Sequence, residues 1–502
     1  LRSIAYDRRT LAVLVVLGAA VAARELMWST MLHADQRLID LRVFWCGGQA
    51  ALGGANPYLF EPLRTCEHGF GAGLFAKSPN FVMPFVLPPF DVAPFAALAR
   101  LPYGTAALLF TLIGALALAA GIVLVAASAR VPVTLAAAAL LISVGLPSLT
   151  LGQLVPLELL VTAAAAVALV RRWDAAAGVC AALSLLEPHV GAFVVVGVAA
   201  AVPRARWALA GGLAVLAAAS VRAGSVAPFG VYAAALAAHA RAEAGSAEQY
   251  SLTHALRYLH APVDVAVVLG EVSTVLLLVV AAVLARAFAA HGVRAGIVYL
   301  PAACAVVGGS FVHLTQIALA VPAALLLFAH ARDAVARRLA ALAVIALAIP
   351  WPYPTGNKQT LAATLVVLAV TVWYAGGGYR VVAAAVAALW IVLVPLENRP
   401  PPAPPVPVLA RPAPTELASE SWHRALDQTE SSAPRSPLVE IPTWLGLLAL
   451  LGSTAFVLRR ERRAAAVPAR AARPNDDRIT QSAPAPVPFG VSNAVPVRQR
   501  DK

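Results

Sequence analysis

The first stretch of this chain able to do chemistry is a carboxylate followed by aromatic residues, glycines and a proline. It reads Asp40-Leu41-Arg42-Val43-Phe44-Trp45-Cys46-Gly47-Gly48 and, after Gly53-Gly54, closes on Asn56-Pro57-Tyr58. Leu41, Phe44, Trp45 and Leu52 suit the apolar face of a helix lying in a membrane interface. Asn-Pro suits the tight turn that ends it. Asp40 then sits near headgroup level, where a carboxylate can meet both a lipid-borne and a water-soluble molecule. The plainer alternative is a carboxylate that only ends a helix, and Asp35 is a close competitor. Other polar residues fall in gaps between apolar runs: Lys77, Gly152-Gln153, Glu187-Pro188-His189, Gln249-Tyr250-Ser251, His254, the turn from Ser310 to His313, and Lys358.

Apolar elements must position these residues. The chain has 502 residues, of which 60% are hydrophobic and 13% charged, and a mean hydropathy of +0.77. Soluble domains carry roughly a quarter charged residues, so most of this apolar surface needs lipid. The runs are rich in Ala, Leu and Val without strand-like alternation, which predicts helices rather than a barrel. They fall at residues 11–28, 104–129, 132–148, 154–170, 175–186, 189–203, 206–221, 263–285, 295–309, 314–330, 339–350, 360–375, 380–395 and 442–458. The expected fold is all-α, a polytopic transmembrane bundle of about 12–14 helices with a large first outer loop. Residues 79–102 hold six prolines and are expected to form a re-entrant or interfacial element rather than a span.

The net charge of +13 is dispersed in short clusters between the runs, which argues against a nucleic-acid partner. Arg130, Arg171, Arg172, Arg204, Arg206, Arg286, Arg294, Arg332, Arg337, Arg338, Arg380 and Arg459 to Arg463 all fall on one side if the N-terminus is cytoplasmic. Arg2, Arg8 and Arg9 precede residues 11–28, which read as an uncleaved anchor. The opposite, outer side then receives the unusual polar residues. Four segments follow: a membrane-embedded part over 1–397, a Pro-rich disordered linker over 398–441, a last transmembrane helix over 442–458, and a basic, disordered cytoplasmic tail over 459–502.

The pattern Asp40-x-x-Val43-Phe44-Trp45, then Gly53-Gly54-x-Asn56-Pro57-Tyr58, resembles the polyprenol-phosphate-mannose-dependent α-mannosyltransferases, which are C-class (GT-C) membrane glycosyltransferases. The resemblance continues in Leu87-Pro88-Pro89-Phe90 with Leu101-Pro102, in Gly152-Gln153-Leu154, in Glu187-Pro188-His189, in Gln249-Tyr250-Ser251-Leu252 and in the turn with His313. It runs from the N-terminus to about residue 395. Each motif is short; their order, spacing and shared outer location carry the assignment. Leu87 stands where the family usually has Tyr, and Glu187 where it generally has Lys before Pro-His.

The resemblance implies an enzyme of the plasma membrane whose site faces outside. Its partners would be a polyprenyl-phosphate-linked sugar donor, a lipid or glycan acceptor, and membrane lipids. Asp40 would be the general base on an acceptor hydroxyl, within hydrogen-bond reach of the proton it takes. The hydroxyl would attack the anomeric carbon, polyprenyl phosphate would leave, and the configuration would invert. The leaving phosphate needs charge stabilisation more than a proton. Candidates for that role are His313, first of all, then His189, His254, Arg42, Lys77 and Lys358. No metal or other cofactor is expected, since no His, Cys, Asp or Glu set has metal-ligand spacing along the sequence. Gly152-Gln153 reads as a tight interhelical turn, and Glu158 as a helix carboxylate paired with a polar neighbour. Cys46 and Cys66 share the outer loop, and a disulfide or two free thiols suit it equally. A transporter or flippase for a lipid-linked sugar is the competing class, but transporters carry internal repeats with broken helices, and no clear repeat is present.

Overall fold

The computed structural model describes residues 38–70, 80–141, 146–246, 249–349, 370, 410–430 and 440–471. The runs at 11–28 and 380–395, and that at 360–375 apart from Val370, lie outside the described residues, as do Asp35, Lys77 and Lys358. Among the described residues the chain is almost entirely helical, as its composition predicts. The β pairing there is two isolated bridges, Leu59 with Leu417 and Gln249 with His313.

The amphipathic stretch around Asp40 forms α1 (Ile39–Leu52), and α2 (Phe60–His68) follows the Asn56-Pro57 turn. The proline-rich segment gives a 3-10 turn at Pro89–Asp91 and the short α3 (Val92–Leu98), with no long helix. Then come α4 (Tyr103–Ala129), α5 (Val133–Ala139), α6 (Leu146–Leu151), α7 (Val155–Val170) and α8 (Asp174–Leu183). The chain continues through α9 (Pro188–Ala201), α10 (Arg206–Ala223), α11 (Phe229–Ala242), α12 (Leu252–Tyr258), α13 (Val263–Ala290) and α14 (Gly296–Gly308). It ends with α15 (Val321–His330), α16 (Ala334–Ala348), α17 (Ala418–Glu430) and α18 (Ile441–Ala471).

Three of these helices are long and apolar enough to cross a membrane: α4, α13 and Ile441–Arg459 of α18. Pro188–Ala201 and Pro203–Ala223 add a fourth if the pair, bent by 118°, is one broken span. The other apolar runs among the described residues give shorter helices. The described part of the run at 132–148 holds α5 and the start of α6, and α8, α14, α15 and α16 have 10, 13, 10 and 15 residues. Prolines explain much of this. Pro132, Pro156, Pro188, Pro203 and Pro322 stand at helix starts, where a missing N–H costs nothing. α14 is buried almost all round, which marks a core helix. By contrast α4 exposes Leu108, Leu112 and Leu116, and α13 exposes Val268, Val275, Leu276 and Val279. Apolar stripes of that extent are costly in water and suit a hydrocarbon surround.

Arginines tie together the turns expected on the basic side. Arg294 pairs with Asp174 at 2.8 Å, and Arg206 and Arg286 donate to the carbonyls of Ala199 and Ala200 at 2.8 and 3.2 Å. These bonds also satisfy carbonyls at the end of α9, which the helix itself leaves unpaired.

Two sequence expectations about the C-terminal part are corrected. The segment 398–441 is not wholly a disordered linker, because residues 410–430 within it pack onto the loop after α1 and onto α11. Phe60 donates to the Glu416 carbonyl at 2.8 Å and Ala418 to the Tyr58 carbonyl at 2.9 Å. α17 then lies along α11, with Trp422 against Phe81 at 5.2 Å. The Pro-rich composition hides a helical stripe of Ala418, Ser421, Trp422 and Ala425, whose i, i+3, i+4 and i+7 spacing makes one buried face. Likewise the last helix does not stop at 458 but runs to Ala471, since Ala, Arg and Glu beyond Leu458 are strong helix formers. The chain divides at that point into two compact units, residues 1–458 and 459–502.

A disulfide joins Cys46 of α1 to Cys66 of α2, resolving the alternative that sequence left open. Cys180 and Cys304 are free, the second buried. Closing a loop of 20 residues stabilises by about 3 kcal/mol in the chain-entropy picture. Reduction is therefore expected to lower the thermal midpoint of the purified protein, and Cys46→Ala/Cys66→Ala to lower it equally and make it insensitive to reductant. A midpoint unmoved by reductant in the wild type would contradict this.

Candidate functional site

α1 is held by backbone. Leu38 donates to the Thr150 carbonyl at 2.8 Å, and Tyr103 Oη reaches the Leu38 carbonyl at 3.4 Å. Gly152, with φ of +78°, lies so close that an added Cβ would stand 2.7 Å from Leu41 Cβ. Further along, Gly48 lets α1 press directly on the backbone of Phe95, and the Gln49 amide donates to the Ala99 carbonyl. Tyr58, fully buried, donates to the Leu87 carbonyl at 2.9 Å and stacks between Phe85 and Tyr232. The motifs at 40–58, 87–90 and 152–153 are thus one packed unit that fixes Asp40.

A second unit is built around His313. Val312 donates to Gln249 Oε1 at 3.0 Å, and Tyr250 donates to the Val312 carbonyl at 2.8 Å. His313 caps a short 3-10 helix, Leu314–Leu319, in a capping box with Gln316, whose Oε1 accepts from the His313 amide at 2.8 Å. Gln316 Nε2 donates to Glu187 Oε2 at 3.1 Å, and the same carboxylate oxygen faces His189 Nε2 at 3.7 Å. Phe311 sits among three imidazoles, with centroids 5.8 Å from His189, 5.1 Å from His239 and 4.8 Å from His313. His313 Nε2 faces Glu243 Oε2 at 3.9 Å, and Trp422 of α17 donates to the other oxygen of Glu243.

Carboxylates join the two units. Burial pushes the Glu187 carboxyl up to about 7; the Gln316 hydrogen bond opposes this and the charge of Asp40 adds to it. Burial pushes Asp91 up to about 8, with the charge of Glu187 adding. Burial lowers the His239 imidazole to about 4, partly offset by Glu243. The charge of Asp40 thus acts on Glu187 and that of Glu187 on Asp91. In the unfolded chain both Asp91 and Glu187 ionise near about 4. Below about pH 6.5 the lowered His189 and His239 imidazoles oppose this, being charged only in the unfolded chain. From about pH 6.5 to 8 the folded protein binds more protons through Asp91 and Glu187, so stability falls as pH rises. The thermal midpoint is expected to drop between about pH 6.5 and 8.5, and the drop to be shallower in Asp91→Asn. A flat wild-type profile would contradict this.

Of the residues singled out from sequence, the fold brings together Asp40, Glu187, His189 and His313. It takes two elsewhere. Arg42, 4% exposed, lies 4.9 Å over the Phe70 ring and acts on Glu67 and Tyr103. Glu67 is itself buried and takes the Met83 amide at 3.1 Å. Arg42 is thus packed against Phe70, Glu67 and Tyr103. His254 Nε2 faces Glu440 at 3.2 Å and ties α12 to the start of α18. Glu158 is not paired with a polar neighbour as expected: it is fully buried, and neither oxygen has a hydrogen-bond partner among the described residues.

Sequence reading passed over Asp91, Gln316, His239, Glu243, Phe311 and Trp422. The His313-x-x-Gln316 spacing of a cap and the His239-x-x-x-Glu243 spacing of one helix face were available signals. The expectation of no metal rested on linear spacing, whereas His239, Glu243 and His313 place one donor atom each within 4.8 Å of one another. The chain matches no family model, no curated protein and no solved structure at a significant level.

Proposed function

We propose that this chain is an inverting GT-C glycosyltransferase of the plasma membrane. It moves a mannosyl, or other hexosyl, residue from a polyprenyl-phosphate donor to a lipid or glycan acceptor on the outer face. Asp40 takes the proton of the acceptor hydroxyl as its oxygen bonds to the anomeric carbon. The bond from that carbon to the phosphate oxygen breaks, and polyprenyl phosphate leaves with the electron pair. Base and leaving group stand on opposite sides of the sugar, as inversion requires. His313 and His189 lie toward the leaving phosphate, where cationic or donating groups stabilise developing charge.

One observation carries this reading. The short motifs that resemble the mannosyltransferases are scattered from Asp40 to His313, yet the two packed units unite them, and the charge of Asp40 is felt at Glu187, which is hydrogen-bonded into the His313 unit. The disulfide suits an oxidising compartment, and the exposed stripes of α4 and α13 suit lipid. The glutamate at 187, where the resemblance expects a lysine, shifts phosphate recognition onto the imidazoles.

The test uses membranes containing the protein, labelled polyprenyl-phosphate mannose and a panel of lipid and glycan acceptors. Transfer of label above membranes lacking the protein is expected. Absence of transfer across the panel, with the protein present and helical, would overturn the reading.

A further inference from the structure

We propose that His239, Glu243 and His313 form a binding site for a zinc-type divalent cation, with its remaining coordination positions open to an anionic oxygen. His239 is on the last turn of α11 and Glu243 one turn later, at its C-cap, so both project from one face. His313 arrives from the cap of the Leu314–Leu319 turn, held by Gln249 and Gln316. The three donor atoms lie within 4.8 Å of one another. A tetrahedral zinc with bonds of about 2.0–2.1 Å keeps its donors about 3.3 Å apart, so a bound ion draws them in by small side-chain rotations.

Two further observations point to a ligand rather than to a plain ion pair. His239 is 8% exposed, and its Nδ1 has no hydrogen-bond partner among the described residues. A buried imidazole nitrogen left so is costly unless something binds it. The Trp422 indole donates to Glu243 Oε1 and leaves Oε2 turned toward His313. That is how outer partners orient a ligating carboxylate. Two imidazoles and one carboxylate favour zinc over magnesium or calcium, and three protein ligands leave a position for water or a phosphate oxygen. The site also gives α17 a role, because the Trp422 contact comes from a segment whose composition reads as linker.

The inference stands apart from the transfer reaction, since metal binding is measured without a sugar donor. The full-length protein, stripped with chelator in detergent, is titrated with zinc by calorimetry and its metal content is read by mass spectrometry. About one zinc per chain is expected, with affinity at least tenfold weaker in both His239→Ala and Glu243→Gln. Zinc is expected to raise the thermal midpoint of the wild type but of neither variant. Cobalt provides a readout that needs no variant: a visible band of four-coordinate cobalt with nitrogen and oxygen ligands should appear in the stripped wild type and vanish on adding zinc. No stoichiometric zinc, no such band, or binding unchanged in both variants would overturn the site. Zinc binding without glycosyl transfer would support the site and count against the transferase reading; transfer by a protein that binds no zinc would do the reverse.

Discussion

Replacing Asp40 by Asn is expected to cut glycosyl transfer by at least about 100-fold, the lower end of what a positioned acid or base contributes. The amide keeps the shape of the side chain but cannot take the acceptor proton. α1 keeps its other anchors in this variant: the Leu38 bond to Thr150, the contact of Gly48 with Phe95, and the disulfide. Helix content and thermal midpoint should therefore match the wild type, and binding of the lipid-linked donor should persist. Asp91→Asn is the comparison, since Asp91 is a neighbouring carboxyl that burial keeps largely protonated near neutrality; it should retain most activity. Full activity in Asp40→Asn would remove Asp40 from the role of base.

The second large effect belongs to a residue with no side chain. Gly152→Ala is expected to destabilise the protein by about 2–5 kcal/mol, combining a left-handed backbone forced on an L-residue with overpacking against Leu41. The backbone at Gly152 has φ of +78°, and the new Cβ would stand 2.7 Å from Leu41 Cβ and 3.1 Å from Leu41 N. Leu41 follows Asp40 directly, so relief of the clash moves Asp40, the proposed base. A shift of about 1 Å at a reacting group can cost about 100-fold in rate. Thermal unfolding, and transfer at a temperature where the variant remains folded, read the two effects separately. Gly211→Ala is the control: its Cβ meets nothing within 4 Å in α10, so the change should be neutral or stabilise by up to about 1 kcal/mol. Equal behaviour of the two variants would contradict this account of how Asp40 is held.

The parts of this fold that sequence discloses are those fixed by local pattern. The helix around Asp40, the proline-broken stretch before Tyr103 and the long helices α4 and α13 follow from apolar pattern and proline placement. The lengths of the shorter helices do not. Apolar composition is the same for a span in lipid and for a helix such as α14, buried among other helices, and only packing separates them. Arg42 shows a second limit. It lies two residues from Asp40, about 200° around the helix, and its packing against Phe70 and Glu67 is set by tertiary contact that the local pattern does not show. His239 and Glu243 were hidden because their third companion, His313, comes from a distant turn. Trp422 donates across 179 residues to Glu243, from a segment whose prolines drown a short amphipathic stripe. Long-range pairings such as these are set by tertiary contact, and no window of sequence holds both partners.

The configuration of the product tests the central claim most directly. Wild-type membranes are supplied with β-linked polyprenyl-phosphate mannose and an acceptor, and the anomeric proton–carbon coupling of the new glycosidic bond is read by nuclear magnetic resonance. Single inverting displacement with Asp40 as base predicts an α-linked product from the wild type and none above background from Asp40→Asn. A β-linked product, or an α-linked product formed equally by both proteins, would contradict it.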